Sequence, residues 1–408
     1  MVAACPMPAR RGTPLRVERL AQALAARGHA VELMTYHLAE EDGAYAFPIR
    51  RIYDRVERGT LPPGPTVAKL VRYDPALAKL VRGRIRAAPF DIIHAHHYEG
   101  LLAAAYGRHG SGVPLIYDAH TMLSAELPSY GAGWSRRFVR SVGRKLDRLL
   151  PRFADHMIMV TEDILQQLSQ ELGFDACDIT VVTNGVEVET FLAIRDSIEP
   201  RPELLVYTGT LAPYQGIDLM LEAFALALRQ RPHLRLRLLT SADFTPFQGL
   251  VDRLGVGHAL EILEDSFHAL PERLAEASVA LMPRPECPGI PQKLLNYMAA
   301  ARGIVSFAGS AKLLRHDLTG LVVANRDTGA FAQAIVRLVD DPALTRRLGN
   351  AARAEVIDTA TWDRAAANCE LVYRKMLEQC HQPQASEPPR LSQLQHRMHR
   401  SDELTPAP

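Results

Sequence analysis

Short apolar runs alternate with longer amphipathic segments along most of the chain. In the first half these runs are MVAAC, AVELMTY, FDIIHAHH, PLIYDAH, HMIMV and the start of ITVVTNGVEVETF, with lengths typical of buried strands. Between the first two runs, VERLAQALAARG has apolar residues at helical spacing. This order predicts a doubly wound parallel sheet. The first run is short for a central strand, which favours a natural start upstream of Met1.

The same alternation restarts after a polar, proline-containing stretch, RDSIEPRPE at 195–203, which is typical of a linker. Downstream, LLVYTG, LRLRLLT, HALEILE, SVALMPR and GIVSF predict strands with helices between them. We therefore predict two Rossmann-like domains, over 1–195 and 196–358, and a closing helix within 359–380 that packs on the first domain. The tail, 381–408, is rich in Gln, Pro and Ser without periodicity, so we expect it to be disordered.

Composition narrows the possible functions. The chain has 408 residues, enough for two domains, and 47% of them are hydrophobic. A net charge of +1 argues against a dedicated nucleic-acid binder. The five cysteines include no CxxC pair, so they indicate neither a disulfide framework nor a zinc site. No apolar run approaches the ~20 residues of a membrane span, and we expect a cytoplasmic protein.

Four histidines lie at the ends of two predicted strands. His94, His96 and His97 end FDIIHAHH, and His120 ends PLIYDAH. Ligands of parallel sheets bind beyond the carboxyl ends of the strands, so we predict a functional role for His120 above all. His96 and His97 are either functional or bonded to nearby backbone. The spacing in HAHHYE is not that of a zinc motif, and we predict no metal site.

Residues 134–152, WSRRFVRSVGRKLDRLLPR, form a basic amphipathic segment. It carries seven basic side chains and one acid, with apolar residues at helical spacing. Three interpretations remain open. The segment can lie on an anionic membrane surface, line a cleft for an acidic substrate, or pack on the core with its arginines solvated. A second basic stretch, 69–86, adds some weight to the membrane interpretation.

The stretch 283–307, PRPECPGIPQKLLNYMAAARGIVSF, combines a loop, a helix and a strand. Its first part is too rich in Pro and Gly to be regular, and KLLNYMAA from Lys293 favours a helix that ends at Gly303. The first N–H groups of such a helix have no internal partners and suit a phosphate or diphosphate. The pattern therefore predicts an anion site at the centre of the second domain.

Five segments, in order, carry a resemblance to a known family. They are RGTPLR, the strand ending in His120, VTNGVEVETF, YTGTLAPYQGIDLMLEAF and PQKLLNYMAAARGIVSF. Together they resemble the family 4 retaining glycosyltransferases with the GT-B fold. The resemblance implies two Rossmann-like domains facing across a cleft, with the nucleotide-sugar in the second domain, the acceptor in the first, and a closing helix from Trp362 that crosses back. It also implies that the nucleotide-sugar is a substrate and that no cofactor is needed.

On the first domain, the resemblance implies that Gly12 lies near the donor phosphates and acceptor and that His120 lies beside the transferred sugar.

The family's diphosphate clamp should follow Gly209, but its two cationic positions hold Thr210 and Gln215. A neutral pair lacks the attraction of a cation for a diphosphate. Lys293 or the arginines at 10, 11 and 16 can supply the missing charge. The acceptor-side candidates are Arg11, Arg16, His96 and His97.

The family's two glutamates, eight residues apart, are also altered. The second position holds Asn296, whose amide can still bond ribose hydroxyls, and the first holds Pro288. Glu286, two residues earlier, is either a catalytic acid brought in by the proline-rich loop or an exposed loop acid. The resemblance implies that Gly289, Ile290 and Lys293 stabilise the leaving diphosphate, with Lys293, Glu286 and His120 as the catalytic candidates.

The resemblance implies a hexosyltransferase that moves a sugar from a UDP- or GDP-sugar to a polysaccharide, lipid-linked or small-molecule acceptor with retention. A role in cell-envelope polysaccharide synthesis, on the inner face of the membrane, accompanies this prediction. The altered clamp favours an alternative, a GT-B protein that has lost catalysis and acts as a binding or partner subunit. A nucleotide-linked oxidoreductase would need a glycine fingerprint that the first loop lacks.

Overall fold

Thirteen short strands make up the two sheets of the structure, a computed structural model that describes residues 1–7, 12–37, 45–53, 61, 64–129, 136–162, 165, 179–194, 197–266, 268–287 and 289–381. Those of the first half are β1 Val2–Ala3, β2 Leu33–Thr35, β3 Ile49–Arg51, β4 Ile93–His96, β5 Leu115–Ala119, β6 His156–Met159 and β7 Ile179–Val181. Those of the second half are β8 Arg201–Thr208, β9 Arg235–Leu239, β10 Leu260–Leu263, β11 Ala277–Met282, β12 Gly303–Phe307 and β13 Leu321–Val323.

Helices cover both faces of these sheets. Within the described ranges, no helix is long and apolar enough to cross a bilayer. In the first half the helices are α1 Gly12–Ala26, α2 Asp74–Ala87, α3 His97–Arg108, α4 Leu123–Glu126, α5 Arg136–Leu149 and α6 Val188–Leu192. In the second half they are α7 Ile217–Gln230, α8 Gln248–Leu254, α9 Leu270–Glu276, α10 Gln292–Ala299, α11 Ala308–Ala311, α12 Thr328–Asp340, α13 Pro342–Thr359 and α14 Trp362–His381.

Both sheets are parallel and reverse their order once, which confirms the predicted GT-B architecture. The first has the order β3-β2-β1-β4-β5-β6-β7 and the second β10-β9-β8-β11-β12-β13. The reversals fall between β1 and β4 and between β8 and β11. In open parallel sheets ligands bind at such switch points, beyond the carboxyl ends of the strands. The loops after β1, β4, β8 and β11 are therefore the places where a site is expected.

The last helix, α14, crosses back to the first domain, as predicted. Its Ala366, Cys369 and Val372 are buried against Leu20 of α1 and Ile116 of β5. The strand-like segment around Val186 runs beside the start of α14, with Val186 N–H donating to Ala360 O at 2.9 Å. The predicted boundary at 195/196 and the tail from 382 lie outside the described residues, so the domain limits stay predictions.

Several local predictions differ from the structure. The strands β3 and β13 have only three residues each and are not predicted by the hydrophobic pattern. The predicted strand ending in His97 stops at His96, and His97 begins α3 with a φ of 62°. Helix α1 begins at Gly12 rather than near Val17, because the segment from Gly12 to Arg16 continues the helix instead of forming a loop. Arg16 is consequently a helical residue.

Candidate active site

At the carboxyl edge of the first sheet, Arg16 and Asp118 form a buried ion pair. The guanidinium Nε lies 3.0 Å from Asp118 Oδ2 and one NH2 group lies 3.2 Å from Oδ1, so both carboxylate oxygens are engaged. Arg16 also donates to Asn184 Oδ1 at 2.9 Å and to Val182 O at 3.0 Å. These four bonds commit the guanidinium to the interior of the first domain. Arg16 therefore stabilises the site from inside the first domain. Its guanidinium is directed into the domain, which disagrees with the predicted contact to an acceptor.

Three histidines surround the same carboxylate. His94 Nε2 lies 3.4 Å and His96 Nδ1 3.2 Å from Asp118 Oδ2, and His96 Nδ1 lies 3.2 Å from His120 Nε2. Burial lowers the pKa values of His94, His96 and His120, that of His96 to about 3, so all three rings are neutral near pH 7. Burial alone would raise the pKa of Asp118, but Arg16 holds it well below its ordinary value. The cluster therefore combines an ionised carboxylate with three neutral imidazoles.

His120 lies where the sequence predicts, directly beyond β5. Its Nδ1 is 3.1 Å from Thr13 Oγ1, on the first turn of α1, next to Gly12. Gly12 has a φ of 43° and open space where a Cβ would be. The structure thus brings His120 and the predicted glycine position together at the first switch point. Arg10 and Arg11 lie outside the described residues.

His97 is held in a strained backbone conformation between two carboxylates. Its Nε2 is 3.0 Å from Glu126 Oε2, and its Nδ1 is 3.6 Å from Glu99 Oε2. Burial alone would lower the pKa of His97, but Glu126 and Glu99 raise it to about 9, so the ring is an imidazolium at pH 7. Glu126 also accepts a bond from the Thr121 hydroxyl, directly after His120. His97 therefore fixes the loop that follows His120.

The side chains of His94, His96 and Asp118 are close enough together to hold a metal ion, with candidate ligand atoms within 4.8 Å of one another. However, Arg16 occupies both oxygens of Asp118, and its fixed positive charge would face any cation bound there. A carboxylate already paired in this way has little left to offer a metal. We therefore interpret the cluster as a hydrogen-bonded support for His120.

In the second domain, Lys293 meets the glycine turn after β8. Its Nζ lies 2.9 Å from Tyr207 Oη and 3.2 Å from Gln215 Oε1. Gly209 has a φ of 119°, and a Cβ there would lie 2.8 Å from Lys293 Nζ. Only glycine fits this combination of backbone angle and close approach. The structure thus brings together four predicted donor-site elements: Gly209, Thr210, Gln215 and Lys293.

The positive charge of Lys293 is destabilised by its surroundings. Burial, with a smaller contribution from the nearby Arg284, lowers its pKa to about 7, although Asp265 acts in the opposite direction. A lysine kept in this state gains most when an anion binds beside it, because the anion stabilises the charged form. Its position at the second residue of α10 adds the positive end of the helix dipole.

The loop before α10 passes close to the other glycine turns. A Cβ on Gly216 would lie 2.3 Å from Pro283 O, and one on Gly309 would lie 1.9 Å from Pro285 O. Pro288 lies outside the described residues, and the Glu286 side chain is exposed. The position of Glu286 therefore agrees with the alternative in which it is an exposed loop acid, and its catalytic role stays a prediction.

Asn296 faces a cavity of about 280 Å³ between the two domains. The walls include Gln292 of α10, Arg19 of α1, and Trp362 at the start of the closing helix. Gln292 Nε2 also donates to Gly185 O at 2.9 Å, which links α10 to the first half of the chain. Gly289 and Ile290 are half-buried at the start of this helix. The predicted ribose position therefore opens onto the interdomain cleft.

The basic segment forms α5, and its apolar side chains do not all pack on the core. Phe138 is 53% exposed, and Leu149 is 48% exposed. The inner face instead carries Gly143, where a Cβ would lie 2.5 Å from Ser124 Cα, and Asp147, which accepts bonds from the N–H groups of Leu123 and Ser124 at 2.7 and 2.9 Å. The apolar stripe is therefore divided: Leu146 packs against the core of the first domain, whereas Phe138 and Leu149 are exposed, and the three interpretations of the segment stay predictions. Trp134 lies outside the described residues.

Sequence reasoning missed three side chains that shape the site. Asp118 looks like an ordinary residue of a buried strand, although an acid inside PLIYDAH is itself a signal that a partner such as Arg16 is near. Tyr207 contacts Lys293 with its ring and hydroxyl, the Lys293 Nζ lying 4.1 Å from the ring centroid. Tyr373 of α14 lies 2.7 Å from His94 Nδ1, 279 positions away in sequence.

Comparison with known proteins agrees with this architecture. The model described as Glycosyltransferase Family 4 matches residues 11–190, and that described as Glycosyl transferases group 1 matches residues 202–341. A D-inositol 3-phosphate glycosyltransferase of Streptomyces bingchenggensis is 26% identical over 375 residues, 80% of each chain. An exopolysaccharide phosphotransferase of Streptomyces coelicolor is 31% identical over 206 residues, which are 48% of this chain and 21% of that protein.

Solved structures have the same fold. Sucrose-phosphate synthase from Thermosynechococcus elongatus is 19% identical with a TM-score of 0.74, covering 93% of this chain and 96% of its own. Anabaena HepE, in complex with UDP and glucose, is 16% identical with a TM-score of 0.68, covering 91% and 98%. At these identities the likeness supports the fold, while the family models and relatives match both domains. The chain therefore belongs to the family 4 group of glycosyltransferases with the GT-B fold.

Proposed function

We propose that the protein transfers a hexosyl group from a UDP- or GDP-sugar to an acceptor with retention of configuration. The observation that carries the proposal is the cluster of Lys293 with Gly209, Gln215 and Tyr207 at the start of α10. The groups that accept bonds from the half-buried Lys293 Nζ in this cluster, Tyr207 and Gln215, are neutral, so a bound anion would stabilise its charged form. HepE, which has the same fold, has been crystallised with UDP.

In this proposal the leaving diphosphate binds at Lys293 and at the N–H groups of Gly289, Ile290 and the start of α10. Negative charge grows on the diphosphate as the glycosidic bond breaks, so donors aimed at it lower the barrier. The acceptor attacks from the face that the diphosphate leaves. His120 lies beside the transferred sugar, and Glu286 reaches the sugar only if the loop after β11 moves.

Asn296 is the proposed ribose contact. Its amide both donates and accepts, so it can bond two ribose hydroxyls without a carboxylate. The interdomain cavity beside it, bordered by Gln292 and Trp362, gives the nucleoside a partly enclosed position. Exclusion of water from this position protects a donor that hydrolyses readily.

A neutral residue at both clamp positions, Thr210 and Gln215, favours the alternative of a binding subunit without catalysis. Against it, Gln215 accepts a bond from Lys293, so a cation from the start of α10 lies beside one of the two clamp positions. The experiment is a panel of UDP- and GDP-sugars with mass detection of transfer and hydrolysis products, followed by NMR of the product anomer. Donor binding without any product would support the binding subunit, and the absence of both would remove the proposal.

We also propose that the acceptor is lipid-linked and that α5 rests on an anionic membrane surface, with the protein on the inner face of the membrane. Exposed basic and apolar side chains lie together on this helix, including Arg137, Arg140 and Lys145 beside Phe138 and Leu149. Basic residues attract anionic headgroups, and apolar residues enter the interface. Its inner face is fixed to α4, which follows His120, so membrane contact would bring the acceptor side of the cleft to the bilayer.

Co-sedimentation with vesicles tests the membrane surface. We expect the protein to sediment with vesicles containing phosphatidylglycerol, and to do so less when Arg137, Arg140 and Lys145 are changed to Gln. Each basic residue near the surface contributes about 1 kcal/mol, so the triple variant should bind about 150-fold more weakly. The matched control changes three exposed arginines of the second domain: Arg229, Arg253 and Arg346. Equal binding to neutral vesicles, or equal loss in the control, would remove this part of the proposal.

A further inference from the structure

A line of four polar side chains connects the closing helix to the cleft. The Tyr373 hydroxyl on α14 lies 2.7 Å from His94 Nδ1. The His94 and His96 rings stack with centroids 4.5 Å apart and planes inclined by 16°. His96 Nδ1 then lies 3.2 Å from His120 Nε2. Helix α14 is thereby joined to the histidine at the first switch point.

The direction of the hydrogen bond between Tyr373 and His94 follows from the protonation states of Tyr373 and Asp118, which are fixed. Burial raises the pKa of Tyr373 well above its ordinary value, so the phenol keeps its proton. Asp118 is ionised beside Arg16 and can only accept. His94 Nε2 faces Asp118 Oδ2 at 3.4 Å, which favours the proton on Nε2. His94 Nδ1 is then the acceptor of the Tyr373 hydroxyl.

The same reasoning sets the tautomer of His120. His96 Nδ1 lies 3.2 Å from both Asp118 Oδ2 and His120 Nε2. Since the carboxylate cannot donate, the proton is on His96 Nδ1, and two facing N–H groups would repel each other. His120 Nε2 is therefore unprotonated, and its proton is on Nδ1, directed at Thr13 Oγ1 at 3.1 Å.

We propose that Tyr373 and His94 are positioning residues that, through His96, hold His120 in the tautomer with its proton on Nδ1. In this tautomer the N–H group at His120 Nδ1 points toward the first turn of α1. It can exchange its hydrogen bond to Thr13 for one to a hydroxyl of the transferred sugar. Without the Tyr373 hydroxyl, the His94 ring keeps only its contact with Asp118, so its orientation and its stacking contact with His96 are less well fixed. The inference rests on the proposed function, because it assumes that the sugar lies beside His120.

The test is Tyr373→Phe, which keeps the ring and removes the hydroxyl. We expect kcat to fall about fivefold, the effect of one lost hydrogen bond, with the KM for the donor within about twofold of the wild type. His94→Gln keeps a donor toward Asp118 but removes the acceptor for Tyr373, so it should lower kcat similarly. Tyr106→Phe, at an exposed tyrosine of α3, is the matched control and should leave both constants unchanged.

Long-range ¹H–¹⁵N NMR of the histidine rings provides a readout that does not depend on turnover. In the wild type we expect His120 to be almost entirely the tautomer protonated on Nδ1, and in Tyr373→Phe to be a mixture. An active wild type with unchanged kcat and unchanged His120 signals in the variant would overturn the inference. If the wild type transfers no sugar but the His120 signals shift in the variant, the network stands and the proposed function fails.

Discussion

Replacement of Lys293 by Met should have opposite effects on donor binding and on stability. The Lys293 side chain is half-buried beside Tyr207 and Gln215, and this burial lowers its pKa to about 7 from an ordinary 10.5. The folded chain therefore favours the neutral amine, while the unfolded chain carries the ammonium up to pH 10.5. The resulting loss of stability is complete below pH 7 and is relieved as the pH rises from 7 to 10.5.

The size of both effects follows from the structure. The difference between 10.5 and about 7 corresponds to roughly 5 kcal/mol at 1.36 kcal/mol per pKa unit. The Lys293→Met variant avoids this cost but loses the bonds to Tyr207 and Gln215. We therefore expect its free energy of unfolding to be about 2 kcal/mol higher than that of the wild type at pH 6. A charge-assisted bond to a diphosphate contributes about 1.5–3 kcal/mol, so UDP should bind about 10- to 150-fold more weakly.

The two effects are measured on the same samples. Urea unfolding at pH 6 and at pH 10 gives the free energy of unfolding, and the gain should be smaller at pH 10. Isothermal titration with UDP gives the affinity, and at pH 7.5 the wild type should take up a fraction of a proton as UDP binds, because the anion raises the pKa of Lys293. Lys79→Met, at an exposed lysine of α2, is the control and should change neither quantity.

A variant that binds UDP as tightly as the wild type would refute the assignment of Lys293 to the diphosphate. A variant that is less stable than the wild type at both pH values would instead refute the electrostatic reasoning, because it would mean that the bonds to Tyr207 and Gln215 outweigh the cost of the buried charge.

Three further predictions concern other parts of the site. Gly209→Ala should weaken UDP binding about tenfold by titration, because its Cβ would lie 2.8 Å from Lys293 Nζ. His97 has a pKa of about 9, so its contribution to stability, up to about 3 kcal/mol, should be complete below pH 6.5 and lost as the pH rises to 9. His97→Asn, which tolerates the positive φ, should lack this dependence in urea titrations. Asp147→Asn should lower the free energy of unfolding by about 1–3 kcal/mol, because an amide would face the N–H groups at the start of α4.

The sequence predicts most strands and helices of the fold because apolar runs and helical spacing are local patterns. Strand β8 and helix α7, for example, follow directly from LLVYTG and IDLMLEAFALAL. Strands β3 and β13 are not predicted because IRR contains two arginines and LVV is a run of only three apolar residues, which gives no clear strand pattern. Helix α1 extends to Gly12, and Thr13 in its first turn contacts His120; the local apolar pattern that starts at Val17 contains no trace of this long-range contact.

The site is predictable where each of its parts belongs to a local motif. Lys293 and Asn296 belong to one such motif and Gly209 to another, and Lys293 and Gly209 meet at the second switch point. Arg16 is bonded to Asp118 and Asn184, which lie more than a hundred positions away in the sequence. The order of strands in the sheet brings these residues close to Arg16. Long-range contacts of this kind leave no spacing signal in a single sequence, which is why Arg16 looks like a free loop cation.

The central claim is that the loop before α10 holds a nucleotide diphosphate, and a crystal structure of the protein with bound UDP tests it most directly. The account predicts diphosphate oxygens within about 3 Å of Lys293 Nζ and of the N–H groups of Gly289 or Ile290, with a ribose hydroxyl bonded to Asn296. UDP bound elsewhere, or a diphosphate with no contact to Lys293, would contradict it.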